Sequence, residues 1–275
     1  MKNRNSIFEK EKSVIDLVYH YTRRAIALEH IISARKIRFS PLKHTNDPRE
    51  YKEWSFVLTG TGLPPKDVGI YKRSFDAEKD INQIRQQNYK SLCLCWDKWV
   101  QLNKEYDPFL RGFAKPRMWS QYGENHEGVC IAFSIKNIEK ALLKTFGNKT
   151  IVYHDKVKYI NFSPDSIHSR TLDGDKLQNT NTTEYVKQHI ERNYKSIFFE
   201  KNEDYRDEDE YRFVVYNDLE DYIYLPIDDC IKGLILGERF PDIYGELVLS
   251  FSNQLNIECR RIKWHNGKPY LSDDI

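Results

Sequence analysis

Along the chain, apolar residues recur every second position in some short stretches and every third or fourth in longer ones, and the two periods interleave. Val14 to Tyr21 reads as a strand that ends in Tyr19-His20-Tyr21-Thr22. Ala25 to Arg35 reads as a helix with Leu28, Ile31 and Ile32 on one face, and Lys36 to Ser40 as a short strand in which Ile37 and Phe39 point together. Gly60 to Gly69 breaks all periodicity and predicts a loop, Tyr71 to Tyr89 a polar helix, and Ser91 to Trp96 a buried strand. Arg117 to Gly123 predicts a short helical turn, Gly128 to Phe133 a central strand, Asn137 to Thr145 an amphipathic helix and Ile151 to Tyr159 another strand. Ser163 to Thr183 is polar and irregular, the best candidate for a mobile lid or an insertion. Glu184 to Lys201 has a helical apolar face made by Val186, Ile190, Tyr194, Ile197 and Phe198. Further on, strands are expected at Tyr222 to Ile227, Ile231 to Leu236 and Ile257 to Trp264, with a helix from Asp242 to Ser252. Strands and helices mingle without a regular βαβ repeat, so the class is α+β. We read a single domain over residues 14–265, with a charged lead-in at 1–13 and a tail at 266–275.

Two joins in this pattern carry candidate chemistry. In Glu203 to Tyr216 an acidic run passes directly into an aromatic and β-branched strand. Extended backbone would set Glu208, Glu210 and Arg212 on one face, with Tyr211, Phe213 and Val215 on the other. A carboxylate pair fixed at the mouth of a buried strand suits acid/base work or ribose binding, although a solvated acidic loop with a surface ion pair has the same spacing. At the other join, His20 stands where the first strand hands over to a helix, either as a site residue or as a hydrogen-bonded structural one. Asp47-Pro48-Arg49-Glu50 parses as a helix start with Asp47 as N-cap, Pro48 at the first helical position and Glu50 completing a capping-box-like pair. Asn46 or Asp47 facing a ligand is the alternative. Trp119 and Tyr122, three apart on a helical turn, form either an aromatic wall for a flat ring or part of the core.

Composition narrows the classes. With 43 Lys+Arg against 41 Asp+Glu, the formal charge of the 275 residues is +2, so no global field marks a nucleic-acid or membrane-surface protein. Five cysteines, with Cys93 and Cys95 two apart in an apolar run, make neither a disulfide framework nor a paired zinc pattern, and suit a reducing, cytoplasmic setting. No apolar run is long enough to span a bilayer and no signal-peptide core follows Met1, so no membrane partner is expected. GxGxxG, Walker A, HExxH and GxSxG are all missing. The histidines show no ligand spacing, but Asp47, Glu50, Glu208 and Glu210 together would suffice for a Mg²⁺ site of a nuclease or phosphodiesterase.

Taken in order, Tyr19-His20-Tyr21-Thr22, Phe39-Ser40, Asn46 to Glu50, Met118 to Gly123 with Gly128 to Phe133, Glu208 to Arg212, and Gly233-Leu234-Ile235-Leu236-Gly237 resemble the bacterial family called domain of unknown function 2971. More distantly, the His-x-Thr at the end of the first strand, followed by a helix with an Ile-Ile pair and a short strand, is similar to the opening of the DNA ADP-ribosyltransferase toxins and the RNA 2′-phosphotransferases. That resemblance implies a split, mostly antiparallel sheet flanked by helices, and NAD as substrate. It implies that His20 positions a ribose, that Trp119 or Tyr122 stacks on nicotinamide, and that Glu210 is the catalytic carboxylate with Glu208 orienting or deprotonating the acceptor. Tyr21, Thr22, Asn46 and Arg212 would stand around the dinucleotide, no metal would be required, and the acceptor would be a protein, a nucleic acid or water. The carry-over also implies a bacterial defence or toxin effector. Breaking the nicotinamide–ribose bond develops positive charge on the sugar, which a fixed carboxylate stabilises more in the transition state than in the ground state. Two other readings remain open: the divalent-metal nuclease, and a non-catalytic nucleotide or nucleic-acid binding module.

Overall fold

The computed structural model of the chain describes residues 6–8, 16–60, 68–98, 107–161, 165–219 and 221–275. The first third holds strands β1 (Leu17–Thr22), β2 (Lys36–Pro41), β3 (Val57–Thr59) and β4 (Tyr89–Trp96), with helices α1 (Pro48–Tyr51) and α2 (Val68–Gln83). The helix expected over Ala25 to Arg35 is present as a wide π-turn, Ile26–Ile32, and buries Leu28, Ile31 and Ile32 as the periodicity requires. A second π-turn, Ile84–Asn88, joins α2 to β4. Most of the loop expected from Gly60 to Gly69 falls outside the described residues.

The middle third runs α3 (Pro116–Gln121), β5 (Val129–Ser134), α4 (Ile135–Phe146), β6 (Val152–Lys156) and β7 (Lys158–Ile160). Next come α5 (Asp165–His168), β8 (Thr171–Asp173), α6 (Gly174–Asn179) and α7 (Thr182–Phe198). The stretch expected to be irregular is therefore structured where it is described. Leu172 and Leu177 are buried, β8 pairs in parallel with β3, and Asp173 caps α6 by accepting from the Lys176 N–H. A polar composition hid two anchors that reach the core.

The last third holds β9 (Glu200–Asn202), a 3₁₀ turn at Glu203–Glu208, β10 (Glu210–Tyr216), β11 (Ile223–Pro226), β12 (Ile231–Leu236), α8 (Gly245–Leu255), β13 (Glu258–His265) and β14 (Lys268–Ser272). Residues 268–272 are thus not a tail: β14 hairpins onto β13 through Asn266-Gly267, both at positive φ, as a two-residue hairpin turn demands. The described part of the lead-in is tied down as well. Phe8 is fully buried, Ser6 donates to Glu258, and a Cβ at Gly233 would come within 2.5 Å of the Phe8 ring.

The fold is α+β, and its main sheet runs β11-β2-β4-β1-β5-β12-β13-β14, with β10 and β6 branching from β4. Every pairing in that sheet is antiparallel except β12 with β13. One face buries Val18, Leu92, Leu94, Phe133, Tyr211, Phe213 and Val215 against the Ile26–Ile32 turn and α4. At about 25 cal/mol per Å² of apolar surface, side chains of this size each contribute roughly 1.5–3 kcal/mol on burial.

The sheet also splits. One edge of β4 pairs with β10 along its whole length, from Glu210↔Cys95 to Tyr216↔Tyr89. The other edge is shared: β1 takes it only at Trp96 and Cys95, and β2 only at Ser91 and Lys90. Between those pairs β1 and β2 diverge, so Leu92 to Leu94 have no strand on that side among the described residues. A gap in a sheet leaves backbone groups in need of partners, and here it opens a cleft.

Candidate functional site

A cavity of about 200 Å³ lies at this split, bordered by His20 and Tyr21 of β1, Cys93 to Cys95 of β4, Asn46 and Glu50 around α1, Tyr122 after α3, Lys201 of β9, and Glu208 with Glu210. Chain segments far apart in sequence meet here because β4 is the common neighbour of β1, β2 and β10. Tyr19, Cys95 and Glu210 are cross-strand partners on three adjacent strands.

Glu210 opens β10, with Arg212 two residues on and facing the same way, as alternation requires. Glu208 does not extend that strand. It ends the 3₁₀ turn, and Asp209, at φ 42 in the left-handed region, folds the chain back so that Glu208 and Glu210 still face one cavity. The Asp209 side chain points elsewhere and is held by Lys98 and Lys115.

The floor of the cavity is a chain of buried charges. Glu50 Oε1 meets Arg212 Nη2 at 2.5 Å, Arg212 Nε donates to Glu210 Oε1 at 2.6 Å, and Lys201 Nζ donates to Glu210 Oε2 at 3.0 Å and to Glu208 Oε2 at 2.7 Å. Arg212 also donates to the Phe198 carbonyl at 2.7 Å. Three carboxylates thus face two cations, leaving one excess negative charge, and Glu50 Oε2 is buried with no donor among the described residues. The Tyr122 hydroxyl donates to Glu208 Oε1 at 3.3 Å and accepts from Asn46 Nδ2 at 3.3 Å, while Tyr205 donates to the Asn46 carbonyl at 3.4 Å.

This arrangement drives the two glutamates apart. Burial raises Glu208 above the usual carboxylate range, against the pull of Lys201, and Glu210 repels it further. Burial would raise Glu210 too, but the Arg212 and Lys201 charges outweigh it and hold Glu210 well below that range. Lys201 stays firmly protonated, since Glu210, Glu50 and Glu208 overcome the effect of its burial. Of two neighbouring acids, one is a fixed charge and the other is the better proton carrier, the separation that acid/base sites use.

His20 fills the split. Its Nδ1 lies 3.5 Å from the Cys93 carbonyl, one of the backbone groups the diverging strands leave over; a carbonyl only accepts, so Nδ1 carries the hydrogen and Nε2 of the neutral ring is the acceptor. Burial lowers its pKa to about 4, with the Cys93 carbonyl opposing, so the ring is neutral at neutral pH. The Cys93 and Cys95 thiols also border the cavity, and burial pushes both up, away from nucleophilic thiolate.

Six of the expected residues therefore border one cavity: His20, Tyr21, Asn46, Tyr122, Glu208 and Glu210. Three do not. Trp119 is fully buried, donates to the Phe113 carbonyl at 2.8 Å and packs edge-on to Tyr21, so the aromatic pair divides, Trp119 to the core and Tyr122 to the cleft. Thr22 is buried opposite Val129, at the end of β1. Arg212 is fully buried in the floor network, paired with Glu50 and Glu210, and does not itself border the cavity. Two further corrections concern α1 and carboxylate chemistry. Asp47 caps the helix through the Arg49 N–H as expected, but Glu50 closes no capping box; it turns inward to Arg212. The four-carboxylate metal set does not assemble: Asp47 accepts from the backbone N–H groups of Arg49 and Asn202, the three glutamates face cations, and no metal-holding group of His, Cys, Asp or Glu occurs among the described residues.

Lys201 is the residue that sequence reading missed. Periodicity alone places it at the end of a helix, but that helix stops at Phe198 and Lys201 lies on β9, a strand of three residues paired in parallel with β7. A strand of three residues directly after the helix cap leaves no periodicity to detect.

Fold and site define an α+β domain with a cleft at a sheet split and a buried, unequally ionised carboxylate pair at its floor. Residues 118–213 match the family described as a protein of unknown function, DUF2971. The matched segment carries Tyr122, Lys201, Glu208, Glu210 and Arg212, and leaves out His20, Asn46 and Glu50. No curated protein and no solved structure matches the chain.

Proposed function

We propose that this cleft cleaves the nicotinamide–ribose bond of NAD and passes the ADP-ribose to water or to an acceptor on a protein or nucleic acid. The observation that carries the reading is the pair Glu208/Glu210, bridged by one lysine, split in proton affinity, and facing the same cavity as a neutral histidine and a tyrosine. The resemblance of the His20-Tyr21-Thr22 strand end supplies NAD as the ligand.

In this mechanism the C1′–N bond breaks with its electron pair leaving on nicotinamide, and the ribose carries the positive charge. Glu210, held ionised by Arg212 and Lys201, stabilises that charge without reorganising. Oxygen of water or acceptor then bonds to C1′, and its proton passes to Glu208, whose raised pKa suits it to receive one. The Tyr122 ring borders the nicotinamide and His20 Nε2 accepts from a ribose hydroxyl. A cavity of about 200 Å³ is below the roughly 300–1,000 Å³ of pockets that enclose a drug-sized ligand, so it takes the nicotinamide-ribose end and leaves the rest of the dinucleotide outside. A cytoplasmic bacterial effector in defence is the setting that the same resemblance suggests.

The test is release of nicotinamide from labelled NAD by purified protein. Turnover by the wild-type chain that falls about a hundredfold or more in Glu210→Gln supports the reading. Wild-type protein that releases nothing, with a range of acceptors present, overturns it.

A further inference from the structure

Behind α1 lies a second cavity, of about 360 Å³, bordered by Asp47, Arg49, Arg170, Asn202, Asp204 and Tyr205. It stands back to back with the first. Asn46 and Glu50 border the first cavity while Asp47 and Arg49 border the second, and along β9 Lys201 serves the first and Asn202 the second.

Guanidiniums crowd one wall of this cavity, and Asp47 and Asp204 also border it. Three guanidiniums approach the single ring of Trp54, with Arg85 4.4 Å, Arg170 4.7 Å and Arg49 5.7 Å from its centroid. Among the described residues Glu200, 2.5 Å from Arg49, is the one carboxylate that forms an ion pair with any of them. Arg85 is spent on the carbonyls of Glu50 and Lys52 and on Asn82 Oδ1. Arg170 makes no side-chain hydrogen bond or ion pair to a described residue, and the Nε atoms of Arg170 and Arg49 are buried without an acceptor among the described residues. The side chains of the two acids at this cavity form no ion pair with Arg170 among the described residues. Asp47 is committed to the Arg49 and Asn202 N–H groups, at 2.9 and 3.3 Å, and Asp204 is exposed at the rim. Guanidiniums gathered on one ring repel one another, and a buried N–H without an acceptor is costly. An anion in the cavity offsets the repulsion.

We propose that this second cavity binds a phosphate group, with Arg170, whose guanidinium lies 4.7 Å from the Trp54 ring centre, as the principal ligand and Arg49 as the second. Paired planar forks match the several oxygens of a phosphate or diphosphate, which a lysine's point charge does not. The phosphate comes either from the diphosphate of the nucleotide whose ring end occupies the first cavity or from a separate phosphorylated molecule. The site goes beyond NAD cleavage and does not depend on it.

The probe is inorganic pyrophosphate, read as the melting temperature of the full chain against sodium chloride of matched ionic strength. At concentrations well above its dissociation constant, wild-type protein is expected to rise by about 2–4 °C or more. Arg170→Gln, which keeps a flat group over Trp54, should lose the rise, and Arg170→Lys, which keeps the charge without the fork, should keep less than half of it. If Arg170→Gln does not fold, wild type against Arg170→Lys decides. Pyrophosphate that competes with NAD in a binding titration identifies the diphosphate of the same molecule, and simultaneous binding identifies a separate one; both support the site. No rise in wild type, or an equal rise in wild type and the Arg170 variants, overturns it. Because the readout is binding, it stands apart from any failure to release nicotinamide.

Discussion

Two buried ion networks sit on either side of the turn Glu208-Asp209-Glu210, and they differ in what they leave unfinished. In one, Asp97 accepts from the Tyr19 hydroxyl at 3.0 Å and the Gly112 N–H at 2.6 Å and pairs with Arg111 at 3.1 Å, while Asp209 is held between Lys98 and Lys115. Neither Asp97 nor Asp209 borders the cleft. In the other, Glu50, Arg212, Glu210, Lys201 and Glu208 carry one more negative charge than positive, Glu50 Oε2 lacks a donor among the described residues, and four of the five members, all but Arg212, face the cavity. Burial and pairing are common to both. An unsatisfied acceptor on an open cleft belongs only to the second, and it separates a candidate site from a structural clamp.

The comparison can be broken at several points. The largest effect is expected from Arg212→Met, which strands Glu50 and Glu210 in the interior: equilibrium urea unfolding should show a loss of about 3–5 kcal/mol. A loss below about 1 kcal/mol would mean that the cluster is not buried as described. Next, Glu210→Gln should lower nicotinamide release about a hundredfold or more, whereas Asp97→Asn, in the closed network, should lower stability and leave turnover per folded molecule unchanged. Equal losses of turnover in both variants would erase the distinction.

A pH titration sharpens it further. The folded-state pKa of His20, about 4, lies below its ordinary 6.5, so between those values the unfolded chain binds the extra proton. Its contribution to stability is therefore complete above about pH 6.5 and is lost as pH falls towards 4. His20→Gln, which can still donate to the Cys93 carbonyl, should flatten the unfolding midpoint across that window; an unchanged slope would show a ring that titrates freely. The smallest effect is expected for Tyr122→Phe, which keeps the ring and removes one hydrogen bond to Glu208. It should change turnover by no more than about tenfold and stability by about 1 kcal/mol, read by nicotinamide release and urea unfolding.

Much of the frame was legible in the sequence because it rests on periodicity. Ile37 with Phe39 and Tyr211 with Phe213 bury themselves wherever their strands lie, and Leu28, Ile31 and Ile32 mark their helical face even though the turn is a π-turn. Asp47 could be read as a cap because capping is local. Elements of three residues could not be read, and with β9 went Lys201. Nor could the sequence divide Trp119 from Tyr122, since a shared helical face does not say which ring meets the core and which the cleft.

By itself, then, the sequence determined the α+β class, the apolar faces, and the acid-rich join at Glu208 to Arg212. Tertiary structure alone decided that β1 and β2 share one edge of β4 and part between Ser91 and Cys95, that Lys201 and Arg212 ionise the two glutamates unequally, and that Arg49 and Arg170 meet over Trp54. The physical reason is range. Periodicity and capping act within a turn or a strand, whereas proton affinity depends on charges that only the folded chain brings within a few ångströms.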